Sequence, residues 1–391
     1  MQRDLSIDLV RGAGILMIAA DHLAGVAERL TGGVAVNPFP TWTRLGWSSA
    51  AEFFVFFSGY LIGLVYAQTL RAQGPTMLYV RALHRSWQIY VANILALCAV
   101  LLLLHTPLFG NDGLNRFVSL SAIGGGDALT GLVSFLSLQS APPFFEILQL
   151  YVVLLVVAPL MLLLARASVI FVVLFSAALW LCVQLNPSIN IADWNFNPFA
   201  WQLVFVLGMM CSVGDLFTKL RTLVPRRSLI VACGAFLGVA LVIKTIDKAG
   251  WSVPLLGSID VTGIDKGTLG PLRLLHFLVS VVFVMQLVPS NAAIERSVVA
   301  RAITSIGQYS LECFCFSTVL VFAAIGLLSN AGDLSALALL PAGAVVVVLV
   351  CLFAPAVRWI KAQPWRGVKN KPARIERAAP TPRPMTLGDV P

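Results

Sequence analysis

The sequence predicts an all-α, polytopic integral membrane protein with about ten transmembrane helices and both termini in the cytoplasm. Three observations predict this class: hydrophobic residues make up 58% of the 391 positions, charged residues make up only 12%, and the mean hydropathy is +0.88. Soluble domains carry about 25% charged residues and about 45–50% apolar ones. The composition therefore excludes an ordinary soluble enzyme, and we expect the protein in the bacterial inner membrane.

Each predicted span is a run of about 20 mostly apolar residues, the length that crosses a bilayer. These runs form a predicted membrane-embedded domain over residues 1–361. The segment 362–391 is rich in proline and basic residues, so we expect a disordered cytoplasmic tail there. The long outer segment 106–143 is predicted to be re-entrant or interfacial. The ten runs lie near 7–28, 48–70, 87–105, 144–165, 168–186, 198–217, 228–246, 270–289, 303–328 and 335–360.

The positions of lysine and arginine predict the direction of the spans. With both termini in the cytoplasm, 20 of the 27 basic residues fall in cytoplasmic segments and seven in outer ones, which is the bias of the positive-inside rule. The net charge of +9 is explained by this orientation, and we expect no nucleic-acid partner. All seven cysteines lie in apolar runs without metal-ligand spacing, so we predict neither a metal site nor disulfides.

The first span carries two ionisable residues that are costly at membrane depth. Arg11 and His22 are eleven residues apart, which returns to within about 20° of one helix face and separates them by about 16 Å along the axis. The stripe Arg11–Ile15–Ile18–His22 is therefore predicted to face protein or water instead of lipid. Arginine near the cytoplasm suits phosphate, and histidine near the outer side suits general-base chemistry.

This arrangement fits a donor whose phosphates stay at the cytoplasmic face while its reactive end reaches outward, as in acyl-coenzyme A. The alternative is a structural ion pair between Arg11 and Asp8, with a histidine whose hydrogen bonds are satisfied within the protein.

Further polar residues cluster at two depths. Near the cytoplasmic end they are candidates for binding phosphate groups. The alternative is that they are ordinary basic residues that follow the positive-inside rule. In the outer half they are candidates for acceptor binding, although Glu52 and Glu146 also suit helix N-termini as plain dipole partners. The inner group is Arg81, His84 and Arg85, and the outer group is Glu52, Glu146, Asn197, Trp201, Gln202, Arg273 and His276.

Five ordered segments resemble the OpgC family and, more remotely, the acyltransferase-3 superfamily of membrane O-acyltransferases. The resemblance covers residues 3–330 and includes an Arg-x10-His signature at Arg11 and His22. The sequence departs from the family pattern at Ser49, Gln149 and Glu312. The five segments are DLVRGAGILMIAADHL (8–23), SSAAEFFVFFSGYLIGLVYA (48–67), RALHRSWQIY (81–90), FFEILQLYVVLLVVAP (144–159) and NPFAWQLVFVLG (197–208).

The resemblance implies transfer of an acyl group, succinyl in the named family, from a cytoplasmic coenzyme A thioester to a hydroxyl of a periplasmic glucan. His22 would act as the base or as a transient acyl carrier. Glu52 would hold the imidazole in its productive tautomer, and Asp21 would orient another group. Arg11 together with the inner group would bind coenzyme A, and the outer group other than Glu52 would bind the acceptor.

The expected partners are acyl-coenzyme A, the glycan acceptor, the lipid bilayer and proteins of glucan synthesis, without a tightly bound cofactor. Two other classes stay open: a membrane transporter, which also carries buried charges, and a non-catalytic scaffold of glucan synthesis.

Overall fold

A computed structural model of the chain describes residues 4–191, 194–248 and 262–363. Within these ranges the regular structure is helical and contains no strand, in agreement with the predicted all-α class. Of the predicted tail, residues 364–391 lie outside the described residues. The helices are α1 (Leu5–Leu30), α2 (Trp42–Leu45), α3 (Ala50–Leu104), α4 (Asp112–Phe117), α5 (Leu120–Ile123), α6 (Ala128–Leu136), α7 (Glu146–Ala165), α8 (Val169–Leu185), α9 (Pro198–Val213), α10 (Leu216–Leu223), α11 (Arg226–Lys248), a 3-10 turn (Thr262–Ile264), α12 (Pro271–Leu287), α13 (Asn291–Arg296), α14 (Val298–Gln308), α15 (Ser310–Asn330) and α16 (Ala336–Ala362).

Several of these helices have the length and composition of membrane spans. In the described part of the chain six qualify, namely α1, α3, α7, α11, α15 and α16, and eight qualify if two sharply bent pairs each count as one span. One bent pair, α4–α5 with α6, lies in the segment 106–143. Helices cover all ten predicted runs, but α3 holds two of them, and α8 and α12 are only 17 residues long. The protein is thus membrane-embedded, while the count of ten and the direction of insertion stay predictions.

Helix α3 folds back on itself at Gly74. This glycine has φ 80° and ψ 179° and precedes Pro75, a conformation that glycine adopts without steric cost. Beyond the turn, Arg81 Nη1 donates a 2.8 Å hydrogen bond to Thr69 Oγ1. Twelve residues of straight helix would separate these two positions by about 18 Å. The 55-residue helix is therefore a hairpin that places its two halves side by side.

Helix α1 is held in the interior by very close contact with α14. A Cβ atom at Gly12 would lie 1.9 Å from the carbonyl oxygen of Ile303, and one at Gly307 would lie 1.8 Å from that of Asp8. Such backbone approach needs small residues and is typical of helix pairs in membranes. The stripe residues Ile15 and Ile18 are buried, so this face of α1 points into protein, as predicted.

The predicted run 303–328 is divided into two helices at Tyr309. Tyr309 has φ −112° and ψ 42°, which ends α14 and begins α15. The last carbonyl groups of α14 therefore lack partners within that helix. They become available to side chains from α1, and this break shapes the site described next.

Candidate active site

Three arginines share one cavity at the predicted cytoplasmic end. Arg11 from α1 and Arg81 and Arg85 from the second half of α3 line a space of about 300 Å³. The rest of its wall is mostly apolar and comes from α3, α7, α9 and α15, with a few hydroxyl-bearing residues. The structure therefore brings together three of the four residues predicted to grip phosphates, and it joins them to an apolar channel.

Arg11 is positioned by the break between α14 and α15. Its Nη1 donates to the carbonyl oxygen of Gly307 at 3.2 Å, and its Nη2 donates to Ser310 Oγ at 2.6 Å. A cation at the C-terminus of α14 also interacts favourably with the helix dipole. The guanidinium lies 5.7 Å from the centre of the Phe54 ring. Arg11 thus links three helices while it faces the cavity.

The other inner residues lie near the hairpin of α3. Arg85 Nη1 donates to Gln88 Oε1 at 3.1 Å. His84 is exposed, and its Nε2 lies 3.0 Å from Gln88 Nε2. His84 does not line the cavity, so it remains a candidate only for contacts outside it.

The cavity does not reach His22. Its outermost lining residues include Phe54 and Leu148. Phe54 is two residues from Glu52, and Leu148 is four residues from Phe144, the ring that covers His22. His22 itself does not line the cavity, so in this conformation side chains separate the two functional groups of α1.

The His22 ring stacks on the ring of Phe144. Its ring lies 3.7 Å from that of Phe144, at an interplanar angle of 16°. Phe144 adopts φ +76°, a left-handed conformation that is unusual for a bulky residue and is enriched at functional sites. Within the described residues the His22 ring makes no hydrogen bond, and the side chain keeps some accessible surface. The imidazole nitrogens are therefore held in place but left open for a substrate.

Asp21 and Glu52, the two carboxylates predicted to be catalytic, both bind groups other than His22. Asp21 accepts hydrogen bonds from Thr41 Oγ1 at 2.5 Å and from Thr43 Oγ1 at 2.6 Å, which fastens the segment before α3 to α1. Glu52 is fully buried, forms an ion pair with Arg273, and accepts from the backbone of Ser49 at 2.9 Å. Among the described residues, neither carboxylate hydrogen bonds to His22.

The predicted acceptor residues of α7 and α12 make hydrogen bonds within the protein. Arg273 Nη2 also donates to Ser49 Oγ at 3.2 Å. His276 is buried, with Nδ1 2.8 Å from Ser48 Oγ. Glu146 starts α7 and accepts a hydrogen bond from Asn195 Nδ2. Arg273 and His276 are thus committed to internal contacts, whereas Glu146 is half-buried.

The predicted acceptor residues of α9 mainly organise the backbone. Asn197 Oδ1 caps α9 by accepting from the Phe199 amide at 3.0 Å. Trp201 is completely buried, and its Nε1 donates to the carbonyl oxygen of Lys266 at 2.9 Å. Gln202 accepts from Ser176 Oγ at 2.5 Å. Trp201 therefore acts by fixing the segment that carries Lys266.

Lys266 is a charged residue of the site that the sequence did not single out. It interacts electrostatically with Asp21, Glu52, Glu146 and His22. Its ammonium lies 5.0 Å from the centre of the Phe196 ring and, within the described part of the chain, makes no hydrogen bond or ion pair. Surrounding protein desolvates this group and lowers the pKa of Lys266, although Glu52 opposes the shift. Lys266 nevertheless remains exposed in the structure.

In the described ranges, no three His, Cys, Asp or Glu side chains lie close enough together to hold a metal ion.

Comparison with known proteins gives one result. A family model described as OpgC protein matches residues 3–362, which is nearly the whole chain. Curated proteins and solved structures gave no match. The family match spans α1 to α16 and includes Arg11, His22 and Lys266. The chain belongs to the OpgC family.

Proposed function

We propose that this protein is a membrane O-acyltransferase that moves an acyl group, succinyl by analogy with the family, from cytoplasmic acyl-coenzyme A to a hydroxyl of a periplasmic glucan. Membership of the OpgC family indicates a glucan-modifying acyltransferase role. The arrangement on α1 supports the finer assignment best. One helix carries Arg11 in an arginine-lined cavity and, eleven residues later, an imidazole with open nitrogens.

The two ends of the cavity suit different parts of the acyl-coenzyme A donor. Arg81 and Arg85 lie by the hairpin of α3, where phosphate groups would enter, and arginine is the preferred partner for phosphate. Deeper in, the wall is apolar with hydroxyl groups at Ser58 and Ser310, which fits an aliphatic arm that carries amides. An acyl thioester at the end of that arm would point toward His22.

Two routes for the reaction are compatible with this site, and both use His22. In the first, the imidazole takes the proton of the sugar hydroxyl, the oxygen attacks the thioester carbon, and the carbon–sulfur bond then breaks. The leaving thiolate recovers the proton from the imidazolium. In the second, the imidazole attacks the thioester, releases the thiol and passes the acyl group to the sugar. In either route the ammonium of Lys266 would stabilise the oxyanion.

Donor and imidazole meet only if side chains between them move. The ring of Phe144 covers one face of His22, and Phe54 packs at 5.4 Å from the Tyr151 ring at the end of the cavity. We expect donor binding to displace these rings, as closure and opening steps do in many enzymes.

The test is transfer of labelled acyl groups by the purified protein in liposomes, with glucan inside and acyl-coenzyme A outside or the reverse. We expect His22→Ala to abolish transfer and His105→Ala, a histidine at the end of α3, to retain it. Arg11→Lys should raise the KM for the donor by about tenfold with a smaller change in kcat. The reason is that a guanidinium can bind phosphate through two parallel hydrogen bonds, whereas an ammonium group acts as a point charge.

Two outcomes would contradict the proposal. Transfer that persists in His22→Ala would remove the assigned base or carrier. Movement of glucan across the bilayer without acylation, unaffected by His22→Ala, would identify a transporter instead.

A further inference from the structure

A second cavity lies between α3, α7 and α9, away from the proposed donor site. Its volume is about 290 Å³, and no residue lines both cavities. It sits where the first half of α3 approaches the hairpin and where α7 and α9 end. Most of its wall is aliphatic, and two arginines stand at its edge; the lining includes Ala67, Leu70, Arg71, Leu162, Arg166 and Val213.

The two arginines lack protein partners in the described part of the chain. Arg71 and Arg166 are both exposed, and neither guanidinium makes a hydrogen bond or ion pair with described residues. In contrast, the side chain of Arg11 is hydrogen bonded to α14 and α15, and that of Arg81 is hydrogen bonded to the first half of α3. Two guanidinium groups that converge on one apolar cavity therefore present donors without an internal acceptor.

The combination of charge and apolar wall selects the class of ligand. Guanidinium groups bind phosphate through paired hydrogen bonds, and an aliphatic wall between helices matches an acyl chain. A small soluble anion would use the arginines and leave the apolar wall in contact with water. Basic cavities between membrane helices on the cytoplasmic side are known to take anionic lipid headgroups.

We propose that this cavity binds an anionic phospholipid, with its phosphate between Arg71 and Arg166 and one acyl chain along α3, α7 and α9. The predicted direction of insertion places the headgroup in the cytoplasmic leaflet. The lipid would fill the space where three helix ends meet and would stabilise their packing. This inference does not depend on the acyl transfer proposed above.

The test uses the full-length protein in a neutral detergent, with the thermal unfolding midpoint followed during titration with phosphatidylglycerol or phosphatidylcholine. We expect phosphatidylglycerol alone to raise the midpoint. The apparent affinity should fall about fivefold in Arg71→Gln or Arg166→Gln and about thirtyfold in the double variant. Arg296→Gln is the matched control, because Arg296 is also exposed and on the same predicted side but lies outside the cavity.

Three results would overturn the inference. The first is an equal response to both lipids, and the second is equal affinity for phosphatidylglycerol in the double variant and in Arg296→Gln. The third is an equal rise of the midpoint with inorganic phosphate, which would identify a site for a free anion. If the double variant fails to fold, the single variants still decide the matter.

Discussion

The buried ion pair between Glu52 and Arg273 allows a quantitative test of how the outer site is held together. The pair joins the start of α3 to α12 across 221 residues of sequence, and the two side chains are 0% and 9% exposed. Replacing Glu52 by Gln keeps the shape of the side chain but leaves a buried guanidinium without its counter-charge. Breaking a buried pair in this way costs about 3–5 kcal/mol. Arg273→Gln should cost a similar amount.

The double variant Glu52→Gln/Arg273→Gln contains neither charge. We therefore expect its loss of stability to be smaller than the sum of the two single losses, by about 2 kcal/mol or more. The measurement is a double-mutant cycle of unfolding free energies in detergent at neutral pH. Two single losses below about 1 kcal/mol, or losses that simply add, would show that the pair is not a coupled buried interaction.

The same variants separate a structural role of Glu52 from a catalytic one. If Glu52 acts only by holding Arg273, turnover per folded molecule should be closer to wild type in the double variant than in Glu52→Gln. If Glu52 instead sets the tautomer of His22, as the sequence suggested, the double variant stays as inactive as the single one.

Two further predictions concern the packing of α1 and the charge of Lys266. Gly12→Ala should abolish stable folding, because its methyl group would overlap the Ile303 carbonyl. Gly14→Ala is the matched control: a Cβ atom there would have no atom within 4 Å, so this variant should leave the thermal midpoint unchanged or raise stability by up to about 1 kcal/mol. Equal thermal midpoints for the two variants would refute the close contact. Lys266→Met should lower turnover yet stabilise the fold at neutral pH, because the lowered pKa of Lys266 means that folding disfavours its charged form. That stability gain should shrink as the pH rises toward the ordinary lysine value of about 10.4, and a gain independent of pH would argue against desolvation as its cause.

The helical layout was predictable because it follows from local composition. Apolar runs of the right length appear as helices throughout the described chain, and the turn between the second and third runs lies at Gly74–Pro75. The division at Tyr309 was not predictable from hydropathy, since the run 303–328 is long and apolar enough to be one span. At the break, Arg11 of α1 hydrogen bonds to Gly307 and Ser310, a tertiary contact that no local pattern reveals.

The sequence predicts only those features of the candidate site that lie on a single helix. The spacing of Arg11 and His22 is a property of α1 alone, so the sequence contains it. Glu52 and its partner Arg273 lie far apart in sequence, so the sequence does not reveal their ion pair. Only the structure allows the predicted role of Glu52 beside His22 to be compared with its contact to Arg273. Lys266 looked like one outer-side charge among seven, because nothing near it in sequence reveals that α9 holds its backbone beside Asp21 and Glu52.

The capping of α14 by Arg11 has a consequence for the proposed donor binding: if phosphate used the same N–H groups, it would replace two acceptors inside the protein. The guanidinium already satisfies a helix terminus through Gly307 and the start of the next helix through Ser310. A phosphate that took these same two N–H groups would release both acceptors and so loosen the joint between the two helices. Occupancy on the cytoplasmic side would in this way be transmitted along α15 toward the aromatic layer that shields the imidazole.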